Sequence, residues 1–313
     1  MDHRLLVTGG SGLVGQAFQR RWVQPGSLRL VSREDRPGYI QIGGIDGDTR
    51  WADVLRGVST VVHLAARVHI MRDAASDPLS EYRRVNTEGT LNLARQAAAA
   101  GARRFVFVST IKVNGERTQP GRPFRPEDTP LPVDPYAISK YEAEQGLKAL
   151  ARETGLEVVI LRPVLVYGPG VRGNFETMLR WLHRGVPLPL GAVNSRRSLL
   201  AAANLADLIA TCVRHPSAAN ETFLVSDGED LTTPDILRTA AGFMGVPARL
   251  VPVAPPILRA AAWMTGQQAA IGRLCDWLQV DGNNTAHLLG WTPPVSWQAA
   301  LQETVADFLS VSR

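Results

Sequence analysis

Tyr136 and Lys140, in the segment DPYAISKYEAE, have the types and spacing for proton transfer. Asp134 followed by Pro135 is an N-cap and first-turn pair, so the segment is expected to open a helix. Residues four apart then share one face of that helix. A free phenol holds its proton up to a pH of about 10. A nearby ammonium favours the phenolate and makes the tyrosine a usable proton donor and acceptor near neutral pH. Just upstream, the apolar run RRFVFVST ends in two hydroxyls. Thr110 is the expected partner for the same substrate oxygen, with Ser109 as the alternative. Tyr141 lies in the same helix but has Gln145 four residues on, so it lacks the pairing.

The elements that must position these groups show in the hydrophobic pattern. Apolar runs recur at Arg4–Gly10, Leu28–Arg33, Thr60–Ala66, Arg103–Thr110, Leu156–Pro163 and Thr222–Gly228. They lack in-out alternation and are separated by helical periodicity, which implies parallel strands covered on both faces. In such a doubly wound α/β fold, ligands lie beyond the carboxyl ends of the strands. The first run enters TGGSGLVGQAF, where Gly10, Gly12 and Gly15 satisfy GxGxxG and Gly9, Gly12 and Gly15 satisfy GxxGxxG. Glycines there permit a tight turn and close approach of a pyrophosphate to a helix N-terminus, opened here by Leu13 and Val14. The second run ends Val31-Ser32-Arg33. Arginine suits a ribose 2′-phosphate, so NADP(H) is favoured; in the alternative, Glu34 reaches the ribose hydroxyls of NAD(H).

Beyond Pro163 glycine and proline become frequent, and the final third reads as helices without regular strands. The expected division is a dinucleotide-binding domain over 1–165, with a return segment at about 195–228. A smaller, mainly helical substrate subdomain takes 166–194 and 229–313. No apolar run reaches membrane-spanning length and no signal segment precedes the first strand, so a cytoplasmic protein is expected. Cys212 and Cys275 are far apart, and His69, His183, His215 and His287 show no ligand spacing, so no metal is expected. The net charge of +5 comes from scattered arginines; only Lys112, Lys140 and Lys148 are lysines. This pattern argues against a nucleic-acid partner.

TGGSGLVG, HLAA (His63–Ala66), VNTEGT (Val85–Thr90), the Thr110 strand end, Tyr136-xxx-Lys140 and RPVLVYGPG (Arg162–Gly170) resemble, in order and spacing, the extended short-chain dehydrogenase/reductases. The match covers nearly the whole chain. Within that family, the chain is similar to nucleotide-sugar 4-epimerases and 4-keto-6-deoxy-sugar reductases. STIKVNGE, GNF, RRS and LGW resemble reductases of UDP-4-keto-6-deoxy-N-acetylglucosamine in surface-polysaccharide synthesis. The resemblance implies a Rossmann sheet, catalysis by Tyr136, Lys140 and Thr110, and cofactor contacts from Gly9, Gly12, Leu13, Val14, Gly15, Ser32, Arg33, Ala65, Asn86 and Lys140. Asn86 would also hold the end of the Thr110 strand. Asn174, Arg197 and Arg273 would join Thr110 and Tyr136 in binding a UDP-linked sugar, and a homodimer is common in the family. His63 is expected to be a packed strand residue. The expected activity is NADP(H)-dependent reduction of a 4-keto sugar; the alternative is an NAD-dependent 4-epimerase, and a third reading is a non-catalytic dinucleotide sensor. Two departures stand out: no acidic residue directly ends the second strand, and Asn114 stands where many epimerases carry tyrosine.

Overall fold

The continuous apolar runs become strands because alternate side chains enter different cores. The computed structural model describes residues 4–22, 24, 26–68, 77–266 and 268–311; His69 lies outside them. Its strands are β1 (Leu5–Thr8), β2 (Leu28–Ser32), β3 (Tyr39–Gln41), β4 (Thr60–His63), β5 (Arg104–Val108), β6 (Glu157–Pro163), β7 (Leu165–Tyr167), β8 (Arg196–Ala201), β9 (Thr222–Val225) and β10 (Asp230–Thr232). Seven form one sheet in the order β3-β2-β1-β4-β5-β6-β9, with every neighbouring pair parallel. This is the Rossmann arrangement, in which strand order reverses beside β1. Leu5, Val7, Val62, Val106, Val159 and Leu161 face one core, while Leu6, Val61, Phe105, Phe107, Val158 and Ile160 face the other. Burying each such side chain stabilises the fold by roughly 1.5–3 kcal/mol relative to leaving it exposed.

The helices through the Rossmann part are α1 (Leu13–Arg21), α2 (Ala52–Leu55), α3 (Pro78–Tyr82), α4 (Thr90–Ala99) and α5 (Pro135–Thr154). They are followed by α6 (Asn174–His183), α7 (Ala202–Arg214), α8 (Thr233–Met244), α9 (Pro255–Thr265), α10 (Gln268–Cys275), α11 (Asn283–Leu289) and α12 (Trp297–Val311). Phe18 of α1 and Leu205, Leu208 and Ile209 of α7 cover one sheet face. Leu93 and Ala97 of α4 and Ala143 and Leu147 of α5 cover the other.

Two features differ from the sequence pattern. β3 completes the sheet as a three-residue edge strand, too short to show any periodicity. A second, three-stranded sheet, β10-β8-β7, carries the later lobe. Thus Arg196–Ala201 pairs with Leu165–Tyr167 and Asp230–Thr232 rather than in the large sheet, and the final third does contain a strand. A third core, including Tyr167, Phe175, Leu179, Leu237 and Leu301, gathers around it.

Candidate active site

The glycine loop is built for a close-approaching ligand. Gly9 has φ +69°, a left-handed conformation, and a Cβ there would lie 2.6 Å from the Ala65 nitrogen. A Cβ on Gly15 would lie 2.3 Å from the Gly9 carbonyl oxygen, so both positions require glycine. Gln19 pins the loop by donating to the carbonyl oxygens of Gly10 (2.7 Å) and Gly15 (3.1 Å). Thr8 Oγ1 accepts from the Ala65 N–H (3.2 Å), tying β1 to the segment after β4. Helix α1 starts at Leu13 and Val14 behind Gly12, with no side-chain cap and no acid in its first turn. Such an N-terminus suits an anion, so these residues fit the pyrophosphate of a dinucleotide.

At the end of β2, Ser32 Oγ accepts from the Glu34 N–H (3.1 Å). Arg36 holds the Glu34 carboxylate at 2.5 Å and 3.1 Å. Arg33 is exposed and forms no ion pair among the described residues.

Helix α5 begins as its sequence implies. Asp134 caps α5 by accepting from the Ala137 N–H (2.6 Å), Pro135 occupies the first turn, and the Lys112 ammonium pairs with the same Asp134 carboxylate. Lys140 is buried, with its ammonium 4.0 Å from the centre of the Phe107 ring. Burial lowers its pKa to about 7, against an upward pull from Glu144. Tyr136 is half-buried and meets Tyr82 edge-on at 6.1 Å. Its phenol is pushed up, first by burial and then by the Asp134 carboxylate and Tyr82. Desolvation therefore outweighs the expected favouring of the phenolate in the protein alone, because it penalises the charged form of both groups.

The two hydroxyls at the end of β5 differ in their partners. Ser109 is buried and donates to Glu144 Oε1 at 2.5 Å. Thr110 caps the short turn Ile111–Val113 by accepting from the Lys112 N–H (3.3 Å), which leaves its own proton uncommitted among the described residues. Glu144, one helical turn after Lys140, is also gripped by Arg162 of β6 through Nη2 (2.5 Å) and Nε (3.0 Å). Arg162 Nη1 donates to Asn114 Oδ1 (2.9 Å), whose amide donates to the Arg125 carbonyl (3.2 Å). Asn114 is thus a buried structural residue. The sequence reading missed the Ser109–Glu144–Arg162–Asn114 network; its signals were a carboxylate four residues after Lys140 and an arginine inside an apolar strand.

Asn86 sits in a π-helical turn, Arg83–Gly89. It accepts from the Arg67 N–H (2.8 Å) and donates to the Arg67 carbonyl (3.0 Å) and Ser139 Oγ (3.0 Å). It therefore clamps the segment after β4 to α5, not to the end of β5 as expected. His63 is fully packed between Thr8 Oγ1 (2.7 Å) and Thr90 Oγ1 (3.0 Å), and burial lowers its pKa to about 3.

In the later lobe, Arg197 donates to the Asp276 carbonyl (2.8 Å). Burial lowers its pKa, the Asp276 carboxylate pulls it back up, and the charge of Arg273 pulls it down more weakly. Arg273 Nε is buried without a hydrogen-bond partner among the described residues. Guanidinium groups in this lobe would suit a polyanion such as a diphosphate. Asn174 is exposed at the start of α6 and makes no side-chain hydrogen bond among the described residues.

The model of the NAD dependent epimerase/dehydratase family matches residues 5–226. The chain belongs to that family. Among curated members, the UDP-glucose 4-epimerase of Vibrio cholerae is 41% identical over 319 residues, covering 100% of this chain and 97% of the relative. The GDP-6-deoxy-D-mannose reductase of Pseudomonas aeruginosa is 25% identical and covers 99% of this chain and 98% of its own. The solved UDP-glucose 4-epimerase of Thermotoga maritima with UDP-glucose superposes with a TM-score of 0.79 at 21% identity, covering 99% of each chain. This epimerase/dehydratase chain is therefore an enzyme of the extended short-chain dehydrogenase/reductase type.

Proposed function

We propose that the chain is a UDP-hexose 4-epimerase with a retained NAD. The observation that carries this reading is the 41% identity with the Vibrio cholerae UDP-glucose 4-epimerase across the whole chain. It favours the epimerase over the reductase suggested by local sequence runs. Gly9, Gly12 and Gly15 would admit the pyrophosphate, with Leu13, Val14, Ala65 and Asn86 lining its approach and Lys140 bonding the nicotinamide ribose. Bound there, the nicotinamide supplies hydride exchange with C4 of the sugar. Tyr136 takes the proton from the C4 hydroxyl as the ketone forms and returns it when the alcohol is restored. Lys140 eases both transfers by stabilising the phenolate, and Thr110 orients the C4 oxygen. Arg197 and Arg273 hold the diphosphate, with Asn174 at the nucleotide, so that the sugar can turn while its anchor stays fixed. Two free, buried cysteines and a nucleotide-sugar substrate fit a cytoplasmic enzyme.

One observation favours a second reading, an NADP(H)-dependent 4-ketoreductase: Arg33 has no ion-pair partner among the described residues while Arg36 engages Glu34. A single experiment separates the two. The dinucleotide released from purified protein is identified by mass spectrometry, and UDP-glucose/UDP-galactose interconversion is assayed without added cofactor. Retained NAD with interconversion supports the epimerase. Exchangeable binding that prefers NADPH, without interconversion, overturns it in favour of the reductase; Arg33→Ala should then weaken NADPH more than NADH.

A further inference from the structure

Lys112, in the run STIKVNGE, bridges the two hydroxyls that would hold the C4 oxygen. It stands two residues after Thr110, and its partner Asp134 stands two residues before Tyr136. The Lys112 N–H donates to Thr110 Oγ1 (3.3 Å), and its ammonium pairs with one carboxylate oxygen of Asp134. The other oxygen accepts from the Ala137 N–H (2.6 Å) and so caps α5. The chain between Val113 and Asp134 is a loop whose outer part is bonded to the later lobe. There the Thr118 N–H donates to the Trp277 carbonyl (2.9 Å) and the Phe124 N–H to the Gln279 carbonyl (2.9 Å). The loop ends, which carry Thr110 and Tyr136, must instead keep the spacing of β5 and α5.

We propose that Lys112 is a positioning residue that fixes Thr110 against Tyr136 and shields the phenol from the charge of Asp134. The role rests on the reading that both hydroxyls hold the C4 oxygen. A loop left open at its base would let the two groups drift, and a misplacement of about 1 Å can slow an enzyme about 10²-fold. The Lys112–Asp134 pair closes that base beside both groups. Its charge matters as well as its reach. Burial, then the Asp134 carboxylate and Tyr82, push the Tyr136 phenol up. The Lys112 ammonium opposes the Asp134 charge. The other charges around the pair and the phenol are Glu116, 3.7 Å from the ammonium, Arg67, 5.5 Å from the centre of the Tyr82 ring, and Lys140, one turn along α5. Taking the proton from the C4 hydroxyl needs the phenolate, so loss of Lys112 moves the rise of kcat to higher pH.

The test compares Lys112→Met, Lys112→Arg and Lys112→Met/Asp134→Asn with wild type and Tyr136→Phe in UDP-glucose/UDP-galactose interconversion across neutral and alkaline pH. In Lys112→Met, kcat should fall by at least about tenfold and its rise should move to higher pH, with KM and dinucleotide affinity near wild type. The pair is partly exposed, so Tm should stay within about 3 °C of wild type. Lys112→Arg should recover most of kcat. In the double variant asparagine keeps the α5 cap and no carboxylate is left uncompensated. Its pH rise should return to the wild-type position while kcat stays lowered. A wild-type kcat and pH profile in Lys112→Met would overturn the proposal, as would equal losses in Lys112→Met and Lys112→Arg. Wild-type turnover by Tyr136→Phe, or no interconversion by wild type, would remove the underlying reading and the role of Lys112 with it. Loss in Tyr136→Phe beside an unaffected Lys112→Met would overturn the positioning role alone.

Discussion

Burial acts on Tyr136 and Lys140 in the same sense, favouring the neutral form of each. Tyr136→Phe removes the proton carrier without disturbing the glycine loop. Its turnover should fall by about 10²–10⁴-fold while dinucleotide and UDP-sugar affinities stay near wild type, measured by steady-state kinetics and equilibrium binding. Lys140 gives a pH test in the ligand-free protein. Its pKa moves from 10.5 to about 7 on folding. Between those values the unfolded chain binds more protons at this site, so stability should rise with pH through that window. Lys140→Met should flatten that rise, read as a smaller change in the urea midpoint between neutral and alkaline buffer. The sequence located both residues, because a capped helix fixes what lies four positions apart. It could not show that Ser109 is engaged by Glu144, which reaches it only after α5 docks on the sheet.

At the scale of elements, the buried Glu144–Arg162 pair joins α5 to β6 and bonds the residues on both sides of Thr110, Ser109 directly and Asn114 through Arg162. Glu144→Leu should cost about 3–5 kcal/mol by leaving the arginine buried without its partner. Glu144→Leu/Arg162→Met should recover much of that stability, yet its turnover should remain depressed because the Thr110 turn loses its tether. Chemical denaturation and kinetics on the two single variants and the double variant make the comparison. Six strands were legible because apolar residues on both faces leave a continuous run, whereas β8 opens with two arginines. β3, β7 and β10 were not, since three residues give no period; β10 is recognised only by its pairing with β8.

At the scale of the molecule, the proposed function sets the hydride chemistry and the diphosphate grip in different parts of the chain. Arg197→Ala or Arg273→Ala should therefore raise the KM for a UDP-sugar roughly 10- to 100-fold while leaving dinucleotide affinity unchanged. Their placement in one lobe was not a spacing signal: they are far apart in sequence, and Arg197 of β8 reaches the segment just after α10 only through tertiary folding. The division of the chain follows a similar rule, for β9 joins the large sheet only after the chain has built β7, α6 and β8. During synthesis, β6 therefore waits for a neighbour that is made dozens of residues later. At ribosomal rates of about 5–20 residues per second, its hydrogen-bonding edge stays open for several seconds. A nascent chain stalled before Thr222 should be a preferred client for chaperones, whereas one released past Val225 can seal its own edge.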